Sequence, residues 1–80
     1  MLVQVKLYAT LKRFAPEHTE LGESFPVELQ SGHVEEVLTK LGISENKAKI
    51  IMVNGVQTQD LKFSLRENDL VVIFPPIGGG

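Results

Sequence analysis

Apolar and polar residues alternate from the start of the chain. Val3, Val5 and Leu7 take one parity; Gln4, Lys6 and Tyr8 take the other. A period of two is the signature of a strand with one apolar face. Tyr8 falls on the polar parity, where it would be exposed. Leu11, Phe14 and Ala15 then suggest a short helical turn, stopped at Pro16 because proline lacks an N–H and crowds the preceding turn. Glu17 to Ser24 is polar, contains Gly22 and reads as a loop. Phe25, Val27 and Leu29 alternate with Pro26, Glu28 and Gln30, which predicts a second strand. Pro26 cannot donate to a neighbouring ladder, so that strand belongs at a sheet edge.

Ser31-Gly32 ends the second strand, and either residue can cap a helix. Val34, Val37, Leu38 and Leu41 are spaced i, i+3, i+4 and i+7, one apolar helix face. Glu35 and Glu36 in the first turn and Lys40 in the last complement the helix dipole, and Gly42 is a natural stop. Ile50 to Val53 is apolar and runs into Asn54-Gly55, a strong hairpin signal, with Val56 to Thr58 as the return strand. Leu61, Phe63 and Leu65 lead to the polar turn Arg66 to Asp69. Leu70 to Phe74 is five apolar residues in a row, the pattern of a strand buried on both faces and placed mid-sheet. Pro75-Pro76 ends it. Two hairpins around one helix predict an α+β fold: a mixed sheet of four to five strands with one main helix on one face. The first and last strands are expected to be central and parallel, since a crossover joins them.

At 80 residues the chain is one domain with a modest core, which disfavours a deep active site and an independent enzyme. The formal net charge of −2, with signs mixed along the chain, lacks the basic stripe that nucleic acids require. No apolar run approaches the ~18 residues of a membrane span. The N-terminus begins directly as a strand, without a secretory segment, so a cytoplasmic location is expected. There is no cysteine, which excludes disulfides, thiolate metal sites and persulfide chemistry on this chain. His18 and His33 stand alone, without a third ligand at metal spacing; no metal site is expected and both read as solvated. Lys12-Arg13 reads as a solvated basic face, or as a pair that steers an acidic partner.

The chain ends Phe74-Pro75-Pro76-Ile77-Gly78-Gly79-Gly80. Three successive glycines arise by chance on the order of 0.0003 of the time at ordinary glycine usage of ~7%. The sequence thus divides into a domain over 1–76 and a flexible glycine tail over 77–80. Pro75-Pro76 favours an extended exit. The four residues beyond it reach about 13 Å if extended. Without Cβ atoms, glycine backbone enters a slot too narrow for side chains. Its end is a carboxylate, a poor electrophile until it gains a leaving group. Attack on the α-phosphate of ATP would give an acyl-adenylate; a sulfur donor displacing AMP would leave a thiocarboxylate. In that way a chain without cysteine could carry sulfur.

Tyr8-Ala9, Val34-Glu35-Glu36-Val37-Leu38, Val53-Asn54-Gly55, Asn68-Asp69 and the Phe74 to Gly80 terminus together resemble the MoaD/ThiS family of ubiquitin-like sulfur carriers, over nearly the whole chain. The resemblance implies a β-grasp fold. The Phe-Pro-Pro exit looks more like that of the molybdopterin synthase small subunit than that of the thiazole-pathway carrier. Gly78 departs from the commoner small non-glycine residue there. By position, Gly80 corresponds to the activated residue that becomes 1-thioglycine, and Gly78 and Gly79 would thread into partners. Tyr8, Phe74, Pro75 and Ile77 would form the docking surface. The resemblance implies a non-catalytic carrier with no permanently bound cofactor. Its implied partners are a MoeB/ThiF-like, ubiquitin-activating-like adenylyltransferase that uses ATP and a MoaE-like large synthase subunit. Alternatives are a carrier for thiazole or another thio-metabolite, a ubiquitin-like modifier that conjugates Gly80 to lysine, or a binding module with an irrelevant tail.

Overall fold

In the computed structural model, which describes residues 1–76, the opening alternation becomes strand β1, Leu2–Leu7. It is followed by β2 (Phe25–Glu28), helix α1 (Val34–Leu41), β3 (Ile50–Val53), β4 (Val56–Thr58) and β5 (Leu70–Phe74). Short 3₁₀ turns at Ala9–Phe14 and Glu45–Lys47 precede β2 and β3 respectively. The five strands form one sheet in the order β2-β1-β5-β3-β4. β1 and β5 pair in parallel at the centre, Leu7 opposite Ile73, and the other pairings are antiparallel. This is the β-grasp arrangement expected, with Pro26 on the edge strand β2.

One sheet face carries Val3, Val5, Leu7, Phe25, Val27, Ile51, Val53, Val71 and Ile73 into the core. α1 closes that face with Val34, Val37 and Leu38, and Leu11, Leu29, Ile43 and Leu65 seal it from the connections. No polar side chain is buried among the described residues, so burial alone organises this core. β5 corrects one expectation. Val71 and Ile73 are fully buried, but Leu70, Val72 and Phe74 are only half-buried. Their face of the sheet has no helix over it, whereas a continuous apolar run had suggested cover on both sides. Residues 61–65 form no regular strand; Ser64 makes only an isolated bridge to His33.

The start of α1 also differs from expectation. The N-cap is His33, not Ser31 or Gly32, and its side chain makes no capping bond. The first free N–H groups are met by the 61–63 backbone instead. Val34 N–H donates to the Phe63 carbonyl at 3.1 Å and Glu35 N–H to the Leu61 carbonyl at 2.9 Å. Gly42 closes the other end in the left-handed region (φ 77°), its N–H directed at the Leu38 and Thr39 carbonyls. The β3–β4 hairpin turns through Asn54 and Gly55, both at positive φ (51° and 86°), as a two-residue hairpin of this hand requires. Asn54 Oδ1 accepts from Leu70 N–H at 2.9 Å, and Asn54 Nδ2 donates to Asp69 Oδ1 at 2.8 Å. That pins the hairpin to the start of β5 and fixes the register of the central strand.

Candidate functional site at the root of the tail

β5 is held on both sides up to its last residue. Tyr8 N–H donates to the Ile73 carbonyl at 3.2 Å, and Lys49 N–H donates to the Phe74 carbonyl at 2.9 Å. Pro75 and Pro76 have no N–H to continue either ladder, so pairing stops there and the chain leaves the sheet. The register that sets Leu7 opposite Ile73 brings Tyr8 beside Phe74 on the half-open face. Their rings stack with centroids 4.9 Å apart and planes 11° from parallel. Both are half-buried, so Tyr8 is less exposed than its parity suggested. Ile50 pairs with Phe74, and behind them Lys6 and Met52 flank Val72. Val72, Met52, Ile50 and Phe74 therefore make an apolar strip, bordered by Lys6, that leads along the sheet to the exit.

On one side of that exit the chain reverses after β1 through Ala9 (φ 53°), a conformation uncommon for a residue with a Cβ. The reversal opens the first 3₁₀ turn. Leu11 dives into the core and Phe14 packs on its margin. The Arg13 guanidinium lies 4.9 Å from the Phe14 ring centroid, and Lys47, from the second 3₁₀ turn, approaches the same ring at 5.9 Å. A cleft of about 370 Å³ lies between these residues and Pro75-Pro76. On the other side of Pro76 a second cleft, about 470 Å³, runs past Glu45, Lys49 and Leu61.

Of the residues singled out from the sequence, the structure brings together Tyr8, Phe74 and Pro75; Pro76 is exposed beside them. Ile77, Gly78, Gly79 and Gly80 lie outside the described residues. His18 sits exposed in the loop after the first 3₁₀ turn, and His33 caps α1, so the two histidines belong to different features. Sequence reasoning noticed Lys12-Arg13 but missed Lys47 and Phe14. Lys47 comes from a turn more than thirty residues away, and only the fold shows that both cations share one ring.

Ionisable groups with shifted equilibria lie elsewhere. Glu36 is held down to about 2, first by the Gln30 N–H and then by the Ser31 hydroxyl and the Gly32 and Ser31 N–H groups, against a desolvation effect of opposite sign. Lys62 is raised by its hydrogen bond to Glu35, and the N-terminal ammonium by its hydrogen bond to Glu28. These are structural ties, remote from the tail root.

A five-stranded sheet with one helix and a proline-stiffened exit from its central strand defines a ubiquitin-like protein. The sequence matches the profile of the ThiS family over residues 5–80, and the chain belongs to that family, the MoaD/ThiS-type ubiquitin-like sulfur carriers. Solved structures share the fold. One is a complex of subunits 1 and 2 of the molybdopterin-converting factor from Helicobacter pylori, with 21% identity, a TM-score of 0.63 and complete coverage of both chains. Another is the small archaeal modifier protein 1 of Haloferax volcanii, with 19% identity, a TM-score of 0.68, and 95% of this chain and 98% of that chain covered. No curated protein matches significantly.

Proposed function

We propose that this protein carries sulfur as a thiocarboxylate on Gly80 and delivers it as the small subunit of a molybdopterin synthase. The observation that carries the reading is the family match running through the terminal Gly-Gly to residue 80, supported by a central strand whose pairing ends at Phe74, just before Pro75-Pro76. The chemistry is a two-step exchange. The Gly80 carboxylate attacks the α-phosphate of ATP, pyrophosphate leaves, and an acyl-adenylate forms. A sulfur donor at the sulfide level then attacks the acyl carbon, the C–O bond to AMP breaks, and –COS⁻ remains. Both steps belong to the activating enzyme's active site. The carrier supplies a docking face (Tyr8, Phe74, Pro75 and Ile77), a stiff exit, and glycines that pass a narrow channel. The Helicobacter complex supports a larger synthase subunit as acceptor.

The likeness to an archaeal modifier protein supports a second reading, conjugation of Gly80 to a lysine amine. The same adenylate serves both, and only the final nucleophile differs. The intact mass of the protein from its own host separates them. The carrier reading expects a species about 16 Da heavier, with sulfur in place of oxygen. Higher-mass conjugates on a denaturing gel would select the modifier reading. An unchanged mass, even after incubation with ATP, sulfide and the cognate activating enzyme, would sink both.

A further inference from the structure

Three of the eight basic residues, Arg13, Lys47 and Lys49, come from two segments separated by more than thirty positions, yet they line the two clefts beside Pro76, with Lys12 adjoining Arg13 in sequence. Both ion pairs among the described residues lie elsewhere, Met1 with Glu28 and Lys62 with Glu35. None of the four cations comes within 4.0 Å of a described carboxylate, although Glu45 shares the second 3₁₀ turn with Lys47. Arg13 and Lys47, both exposed, each lie over the Phe14 ring. Two cations thus approach one ring beside a cleft of about 370 Å³ open to solvent, an arrangement whose chemistry suits an anionic group. In a chain of net charge −2 this concentration runs against the overall balance.

We propose that the Phe14 cleft receives an acidic side chain of the activating enzyme, between Arg13 and Lys47, and so speeds capture of the carrier for adenylation. The inference rests on the carrier reading above. The charge on the page selects a carboxylate. The position selects the activation step, where a free carrier must be captured and its terminus aligned. Exposed cations chiefly raise the rate of encounter, and their effect fades with salt. The contact adjoins the docking face of Tyr8 and Phe74 at Pro75, but lies against the 3₁₀ turns and not on the sheet face.

The test uses the full chain with its cognate activating enzyme and follows ATP–pyrophosphate exchange against carrier concentration. Arg13→Glu and Lys47→Glu are expected to raise KM about tenfold or more each, with kcat unchanged, and to flatten the dependence of kcat/KM on ionic strength. Arg13→Lys and Lys47→Arg should retain most of the wild-type KM. Arg66→Glu changes the charge equally at the opposite end of β5 and should leave KM unaltered. Unchanged thermal unfolding of the Glu variants excludes misfolding. Normal KM in both Glu variants would overturn the proposal while leaving the carrier reading intact. A defect confined to the later sulfur transfer would also overturn it, and would assign the cleft to the acceptor subunit. Failure of the wild-type protein to be adenylated at all would remove the carrier reading and this inference together.

Discussion

Glu36 stands three residues into α1, and its carboxylate turns back to accept from Gln30 N–H (2.7 Å), Ser31 N–H and Oγ (2.8 Å each) and Gly32 N–H (3.0 Å). One side chain thus ties the helix start to the end of the second strand's segment. The ionised form is favoured in the fold, so its pKa drops from an ordinary 4.5 to about 2. Its stabilisation is complete above the unfolded value and is lost as pH falls from about 4.5 towards 2. Glu36→Gln should therefore lower Tm at pH 7, and the gap to wild type should close across that window in paired melting curves. A gap independent of pH would argue against the carboxylate as the cause. The sequence placed Glu36 in the first turn but read it only against the helix dipole. The Gln30 to Gly32 amides it satisfies are set by a left-handed residue at Gly32 (φ 79°), which residue pattern alone does not show.

At the level of elements, alternation identified β1 and β2 because one-sided burial leaves a two-residue period, and the Asn54-Gly55 hairpin signal identified β3 and β4. β5 was the exception. Five apolar residues erased the period, and only the structure separates the core-facing Val71 and Ile73 from the half-open Leu70, Val72 and Phe74. The distinction has a measurable consequence. Ile73→Ala should cost about 2–5 kcal/mol, because the site is fully enclosed, enough to threaten a domain of this size. Val72→Thr, on the open face, should cost well under about 1.5 kcal/mol by chemical denaturation. Equal costs would mean that the outer face is packed after all. The helix start escaped the sequence for another reason. Its amide partners are carbonyls of 61–63, a segment without regular structure, and no residue type announces a backbone acceptor.

For the molecule as a whole, the last core residue among the described residues is Ile73, and the proposed chemistry lies beyond Pro76. Deleting Gly79 and Gly80 should change stability by no more than about 0.5 kcal/mol while abolishing adenylation. A large loss of Tm would show that the tail contributes to the fold. The proposed tail chemistry could be argued from sequence alone because glycine repeats and a terminal carboxylate need no tertiary context. The Phe14 cleft could not, because it is assembled by two distant turns. The parallel pairing of β1 with β5 sets Gln4 opposite Leu70 and Leu7 opposite Ile73, residues far apart along the chain. Closing such a pair requires the whole intervening chain, a high contact order, and tends to slow folding. It also means that a nascent chain cut short before residue 74 lacks the strand on which both halves of the sheet assemble. Such a fragment would stay open to proteolysis. Folding itself would thus act as a length check, since only chains translated through Phe74 can close the five-stranded sheet.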